Sequence, residues 1–198
     1  MRYVALGDSH TIGTSVSTAE SWPSQLVGRV PGLQLVANLG VNGYTSADVI
    51  QDEVPALPGL RPEFVTLLIG VNDVVQGVAE ASYLANVEEI LDAILALVPA
   101  DRLLCVATPD YTVTPQGSAF GSPDQRAGIE RVNQTLAQAC AGRGVHFVAE
   151  IFGISKGAAS DRSLVARDGL HPSGAQYALW VDAMVPIVEG LLLPSSDR

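Results

Sequence analysis

Three polar residues of this chain are of the types that perform nucleophilic catalysis together. Ser9 follows Gly7-Asp8 near one end of the sequence, and Asp168 lies three residues before His171 near the other. A serine hydroxyl is a weak nucleophile at neutral pH and needs a base to take its proton. Histidine suits that task, and a carboxylate on its other ring nitrogen fixes the tautomer and stabilises the imidazolium. Ser9, His171 and Asp168 are therefore candidates for nucleophile, base and orienting carboxylate.

The base can be chosen by elimination, because the chain has only three histidines. His146 opens a predicted strand at its amino end, on the wrong side of the sheet. His10 directly follows Ser9, and adjacent side chains of an extended turn point apart, so we expect it either to line the pocket or to face solvent. His171 remains. Pro172 restricts it to an extended conformation, and a capping box at Ser173-Gly174-Ala175-Gln176 begins a helix directly after it.

Two further segments contain groups that could stabilise a developing negative charge. Asn72, within Gly70-Val71-Asn72-Asp73, carries a side-chain amide, and Gly43 lies among small residues that would let a backbone N–H approach closely. Turn chemistry alone explains each of these segments nearly as well. Asp73 is expected to stabilise its own loop by local hydrogen bonds.

Strands and helices alternate along the sequence. The helical spacing is clearest in two apolar stripes, and a capping box at Ser122-Pro123-Asp124-Gln125 precedes the second of them. This alternation predicts a single α/β domain over residues 1–198, with a doubly wound parallel sheet and helices on both faces. Five short apolar runs are predicted to be strands buried on both faces: Tyr3–Leu6, Leu33–Ala37, Phe64–Ile69, Leu103–Ala107 and His146–Ala149. The helical stripes are Leu84, Val87, Leu91, Ile94 and Val98, followed by Ile129, Val132, Leu136 and Cys140.

Each candidate segment falls just beyond the end of a predicted strand or before a helix, where doubly wound sheets bind ligands. Two polar stretches, Thr108–Gly121 and Phe152–Arg167, should emerge on the same face. They are either ordinary surface loops or loops that shape specificity. Tyr44 and Tyr111 are candidate pocket residues.

Composition excludes several classes of partner. The 198 residues are 47% hydrophobic and carry a formal charge of -10, which disfavours nucleic acid and anionic membrane surfaces. Cys105 and Cys140 are expected to be buried thiols rather than a disulfide framework. The first strand begins too early to leave room for a signal peptide, and Asp182, Pro186 and Glu189 interrupt the apolar C-terminal stretch. A cytoplasmic protein without stable membrane insertion is expected, and its oligomeric state is left open.

Taken together, the four segments resemble the blocks of the SGNH (GDSL-type) hydrolase family over nearly the whole chain. The resemblance implies a flavodoxin-like sheet of order 2-1-3-4-5, no metal or organic cofactor, and a small-molecule ester as substrate. It implies Ser9 as nucleophile, His171 as base and Asp168 as its orienter. The Ser9 N–H, the Gly43 N–H and the Asn72 side chain would form the oxyanion hole. One departure is His10, which stands where the family usually has leucine.

Several alternatives stay open at this point. The family resemblance does not discriminate between simple esters, thioesters, acetylated sugars and lysophospholipids. A catalytically silent module could bind a sugar or acyl group in the same cleft. A nucleotide- or flavin-binding protein is disfavoured because no glycine-rich phosphate loop follows the first strand. A metal site built on Asp168 and His171 would lack clustered further ligands.

Overall fold

Five parallel strands form one sheet at the centre of the protein. The computed structural model describes residues 1–120 and 123–192. The sheet has the order β2-β1-β3-β4-β5, which confirms the expected fold class, and each predicted strand is found to within one residue at either end. The strands are β1 (Arg2–Gly7), β2 (Gln34–Asn38), β3 (Phe64–Leu68), β4 (Leu103–Val106) and β5 (His146–Val148).

Helical segments connect the strands and follow the last one. The α-helices are α1 (Ser9–Ile12), α2 (Trp22–Arg29), α3 (Ser46–Asp48), α4 (Leu57–Leu60), α5 (Val71–Val75), α6 (Glu80–Leu95), α7 (Pro115–Phe120), α8 (Pro123–Ala141), α9 (Glu150–Ser155) and α10 (Gly174–Leu192). A π-helical turn spans Val49–Glu53, and 3₁₀ turns span Thr18–Glu20, Val54–Ala56, Ala100–Arg102, Tyr111–Val113, Lys156–Ala159 and Arg162–Leu164.

The core has two halves, one on each face of the sheet, because successive strand residues point to opposite sides. In β1, Val4 and Leu6 pack into the half that includes α6 and α8. Tyr3 and Ala5 of the same strand pack into the half that includes α2 and α10. Helices therefore cover both faces, as the sequence predicts.

The prediction that every strand is buried on both faces is wrong for the two strands at the edges of the sheet. β1, β3 and β4 are almost wholly buried, whereas β2 is partly exposed along its length and β5 begins with the exposed His146. An edge strand has a neighbour on one side only, so the flanking helices cover it less completely. Apolar composition alone does not distinguish a central strand from an edge strand.

One of the two predicted apolar stripes is confirmed in full and the other in part. Every predicted residue of the α8 stripe is buried, and Cys140 and Cys105 are buried free thiols, as expected. In α6, however, Leu84 is 40% exposed, and the buried face instead includes Tyr83 and Ile90. The other four residues of the predicted stripe, Val87, Leu91, Ile94 and Val98, are buried, so only its first residue is misassigned.

The structure also revises the predicted helix starts and loops. Ser173 Oγ accepts the Gln176 N–H at 3.3 Å, but the Gln176 side chain donates to the Leu164 carbonyl, so only half of that capping box forms. The other proposed capping box includes Ser122, which lies outside the described residues. The stretches 108–121 and 152–167 contain short helical turns rather than irregular loops where they are described. No helix in the described part of the chain is long and apolar enough to cross a membrane.

A buried carboxyl group lies beneath the end of β1. Glu53, the last residue of the π-helical turn, is only 2% exposed, and its Oε2 accepts the Gly7 N–H at 2.9 Å. Burial and, to a smaller extent, the charges of Asp8 and Asp52 raise the pKa of Glu53 to about 8, although the Gly7 hydrogen bond opposes them. Glu53 therefore keeps its proton at neutral pH in the folded protein.

This raised pKa predicts a pH-dependent loss of stability. The unfolded chain releases the Glu53 proton above about pH 4.3, whereas the folded chain keeps it until about pH 8, so the free energy of unfolding should fall across that interval. Glu53→Gln should remove this contribution, which is on the order of a few kcal/mol. Urea unfolding at a series of pH values measures it. Glu63→Gln is the matched control, because the exposed Glu63 also accepts a backbone N–H, from Arg2. An identical pH slope in wild type and Glu53→Gln would contradict the prediction.

Candidate active site

Ser9 lies in a short helical turn directly beyond β1. Asp8 caps α1 by accepting the His10 N–H at 2.9 Å, and Ser9 is the first residue of the helix. Gly7 makes this turn possible, since its φ is 150° and a Cβ there would lie 2.2 Å from the Leu68 carbonyl oxygen. Helix geometry leaves the N–H of a first residue without an intrahelical partner. Ser9 thus presents both its hydroxyl and its N–H at the carboxyl edge of the sheet.

His10 does not face solvent, and one of the two expectations for it is therefore wrong. It is 4% exposed, its Nδ1 lies 3.1 Å from Asp8 Oδ1, and its ring centroid is 5.5 Å from that of His171. Residues 9–12 are helical rather than extended, so the side chains of Ser9 and His10 can border the same cavity.

Asp168 and His171 form a closely bonded pair. His171 Nδ1 lies 2.6 Å from Asp168 Oδ2, and the other carboxylate oxygen accepts the backbone N–H groups of Leu170 and His171. The loop is closed by an antiparallel bridge between Val165 and Pro172. A carboxylate three residues before a histidine can therefore reach Nδ1, as the spacing predicts.

The electrostatics of this pair favour an ionised aspartate and a neutral histidine. Burial raises the pKa of Asp168, but hydrogen bonds from Ser15, the Leu170 N–H and His171 outweigh it and hold that pKa well below its usual range. Burial lowers the pKa of His171, the neighbouring His10 lowers it further, and Asp168 opposes both. A neutral imidazole bonded through Nδ1–H to a carboxylate leaves Nε2 free to accept a proton.

The segment after β2 packs directly against the turn that carries Ser9. A Cβ on Gly40 would lie 2.8 Å from both the Asp8 carbonyl oxygen and the Ile12 nitrogen, so only glycine fits there. The Asn38 side chain, at the end of β2, donates to the Thr11 carbonyl at 2.8 Å. These contacts hold residues 38–43 beside α1.

Gly43 and Asn72 are brought together by hydrogen bonds from α5. Gly43 has a φ of 84° in a turn closed by the Tyr44 N–H and the Val41 carbonyl. Asn72 Nδ2 donates to the Tyr44 carbonyl at 2.8 Å, and Gln76 Nε2 donates to the Gly43 carbonyl at 3.0 Å. The second N–H of the Asn72 amide forms no hydrogen bond with the part of the chain that the structure describes.

The sequence predicts that Asp73 stabilises its own loop by local hydrogen bonds, but its side chain binds a distant residue instead. It accepts the N–H and the hydroxyl of Ser46, 27 positions earlier, and Asn86 donates to the same hydroxyl. Burial raises the pKa of Asp73, and the bonds from Ser46 oppose that effect. Asp73 therefore joins α5 to the beginning of α3.

One cavity of about 370 Å³ contains three of the five predicted site residues. Ser9, Asn72 and His171 line it together with His10. Asp168 lies behind His171, and Gly43 is not among the lining residues. The rest of the wall is formed by Val71, Val75, Tyr111, Gln125 and Leu170. Tyr111 is thus a pocket residue as expected, whereas Tyr44 is not, because its hydroxyl donates to Asp52.

Three residues that contact the site residues or the turn carrying Ser9 were not predicted from the sequence. Ser15 donates to Asp168 from 153 positions away, Glu53 binds the Gly7 N–H, and Gly40 permits the close approach to α1. Only Gly40 carries a sequence signal, since it belongs to the same run of small residues as Gly43. The other two act through contacts between distant segments.

A doubly wound sheet with a serine, an amide and a histidine–carboxylate pair at its carboxyl edge defines a class, the α/β enzymes with a hydrolase-type site. The chain belongs to the GDSL-like lipase/acylhydrolase family, whose model matches residues 5–179. It is therefore a hydrolase that acts on ester bonds. The resemblance inferred from the sequence is confirmed.

Solved structures with the same fold cover nearly the whole chain. TesA is 21% identical with a TM-score of 0.74, covering 97% of this chain and 100% of its own. A catalytic mutant of Axe2, an acetylxylan esterase from Geobacillus stearothermophilus, is 18% identical with a TM-score of 0.75, covering 94% and 93%. A lipolytic protein of the G-D-S-L family from Veillonella parvula is 15% identical with a TM-score of 0.78, covering 96% and 98%. No curated protein sequence is detectably similar to this chain.

The environment of His171 predicts a pKa below the ordinary histidine value of about 6.5. NMR titration of the His171 ring protons measures it directly. His10→Gln should raise this pKa, because it removes the neighbouring imidazole that lowers the pKa of His171. His146→Gln, an exposed histidine at the other end of the sheet, is the control. A His171 pKa that is the same with and without His10 would contradict this account.

Proposed function

We propose that the protein hydrolyses carboxylic esters through an acyl-enzyme on Ser9, with His171 as general base and Asp168 as its orienting partner. One observation carries the proposal. The His171–Asp168 bond of 2.6 Å lies at the wall of the same cavity that Ser9 and Asn72 line. A pair that only stabilised a surface turn would have no need of a neighbouring serine and amide.

Acylation of Ser9 is the first half of the proposed reaction. His171 Nε2 takes the hydroxyl proton while Ser9 Oγ forms a bond to the ester carbonyl carbon, and the carbonyl electron pair moves to oxygen. The Ser9 N–H, the Gly43 N–H and the free N–H of the Asn72 amide would stabilise that oxyanion. As the tetrahedral intermediate collapses, the bond to the alcohol oxygen breaks and His171 returns its proton to the leaving alcohol.

Deacylation repeats the sequence with water. His171 takes a proton from water, the hydroxide oxygen bonds to the acyl carbon, and the Ser9–acyl bond breaks as the proton returns to Ser9 Oγ. Asp168 stabilises the imidazolium in both halves without taking the proton. Its lowered pKa supports this role, because it stays ionised throughout.

The cavity wall favours an apolar acyl group as the part of the substrate next to Ser9. Val71, Val75, Tyr111 and Leu170 line it with apolar or aromatic surface, and its volume of about 370 Å³ is that of a small-ligand site. Axe2 is named an acetylxylan esterase, which makes acetylated sugars the natural comparison. A sugar would require several polar partners, and this wall offers few, so we place a small-molecule ester with an aliphatic acyl chain first.

Replacing the nucleophile tests the proposal most directly. The wild-type protein should release p-nitrophenol from p-nitrophenyl esters with an initial burst equal to one acyl group per active site, because deacylation follows a faster acylation. Ser9→Ala should lose on the order of 10⁴-fold or more in kcat/KM and should show no burst. Stopped-flow absorbance and labelling of Ser9 by an organophosphonate, read by mass spectrometry, measure both.

Ser160→Ala is the control for that experiment, because Ser160 is an exposed serine that only donates to the Gly157 carbonyl. It should retain wild-type turnover. If wild type and Ser9→Ala hydrolyse a panel of esters and thioesters equally slowly while an acyl ligand still binds, the silent binding module is correct instead.

The Asn72 amide has a separate expected effect. Asn72→Ala should lower kcat on the order of 100-fold with little change in KM, since the donor acts on charge that develops only in the transition state. Gln134→Ala removes an exposed amide on α8 and should change neither constant. Steady-state kinetics with one ester distinguish the two variants, and an unchanged kcat in Asn72→Ala would remove this residue from the proposed oxyanion hole.

A further inference from the structure

The Asp168 carboxylate has a second side-chain partner besides His171. Ser15 Oγ donates to Asp168 Oδ2 at 2.6 Å, and this is the same oxygen that lies 2.6 Å from His171 Nδ1. Asp168 Oδ1 is occupied by the N–H groups of Leu170 and His171. Four hydrogen bonds therefore fix both oxygens of one partly exposed carboxylate.

Ser15 is held in a conformation that its residue type seldom adopts. Its φ is 67°, in the left-handed region that favours glycine. The segment is fixed on the side of the nucleophile, because the N–H groups of Gly13 and Thr14 both donate to the Ser9 carbonyl. Glycine would occupy position 15 with less strain, so what serine adds there is its hydroxyl.

We propose that Ser15 is a positioning residue for the hydrolytic site, which holds the Asp168 carboxylate in line with His171 Nδ1 and ties that pair to the turn carrying Ser9. This inference rests on the proposed function. Ser15 touches neither the substrate nor the reacting atoms and acts only through Asp168. Without the Ser15 hydroxyl, one contact fewer would fix the orientation of this partly exposed carboxylate.

The Ser15 hydrogen bond should also weaken the pull of Asp168 on the His171 ring. An oxygen that accepts two hydrogen bonds has less negative potential to offer each donor, so removing one of them favours the imidazolium. His10 and Asp8 are the other titratable groups that influence His171 from the Ser9 turn, and neither is changed by substitution at position 15. Loss of Ser15 should therefore raise the pKa of His171, which a merely structural contact would not do.

The experiment compares Ser15→Gly, Ser15→Ala and wild type. Both variants lose the hydroxyl, but glycine tolerates the positive φ and alanine does not, so Ser15→Gly should melt at the higher temperature of the two. Their kcat should nevertheless fall equally, roughly tenfold to a hundredfold, with little change in KM. NMR titration should give a higher His171 pKa in both variants than in wild type.

Ser163→Ala is the matched control. Ser163 Oγ donates to Asp161 at 2.6 Å, a hydroxyl–carboxylate bond of the same length that contacts neither Asp168 nor His171. It should leave kcat and the His171 pKa unchanged. In an Asp168→Asn background, Ser15→Gly should cause no further loss of activity, since the two residues act as one unit.

Two results would overturn the proposal: a wild-type His171 pKa in both position-15 variants, or a loss of kcat that follows melting temperature rather than the hydroxyl. The NMR titration does not depend on turnover. A protein that hydrolyses no ester but shows the shifted His171 pKa would therefore contradict the proposed function and leave the Ser15 contact to Asp168 supported.

Discussion

The position of β1 between β2 and β3 is the constraint on which the site depends. Parallel pairing places Gly7 opposite Leu68, so the chain leaves β1 and β3 at the same height and Ser9 emerges beside the loop that holds Asn72. The segment after β2 follows the same edge, with the Val41 N–H donating to the Gly7 carbonyl. Three loops thereby meet at one point. Their close approach explains why Gly7 and Gly40 leave no room for a side chain.

Polar groups beneath this edge are satisfied by contacts between loops rather than within them. Glu53 binds the backbone of Gly7, Asp73 binds Ser46, and Asn72 binds the carbonyl of Tyr44. Each bond fixes one loop relative to another, so the geometry of the cavity follows from a few buried side chains. The last member, His171, is positioned differently: its own loop folds back through the Val165–Pro172 bridge and holds it with Asp168.

The sequence predicted the parallel sheet from short apolar runs and the family from motifs of local spacing, and the strand order came from the resemblance to that family. It also predicted the Asp168–His171 pair, since three residues of separation suffice to form it. Leu84 was misassigned because a stripe of period three to four fits more than one phase of the helix, and the burial of β2 and β5 depends on neighbours that composition does not specify. His10 was misjudged because an extended turn was assumed where Asp8 caps a helix. Ser15 and Glu53 could not be found at all, since their partners lie in distant segments.

The contact between Ser15 and Asp168 can form only late in the synthesis of the chain. It spans 153 positions, and the proposed base lies just before α10, the helix that packs against α2. During synthesis on the ribosome Ser9 emerges long before His171, so a nascent chain would carry the proposed nucleophile without its proposed base. If the proposed mechanism holds, ester cleavage can begin only when the Asp168–His171 pair has reached the turn that carries Ser9. Proteolytic removal of the chain from residue 168 onward would have the same effect on the finished protein, because it would take away the proposed base and its carboxylate.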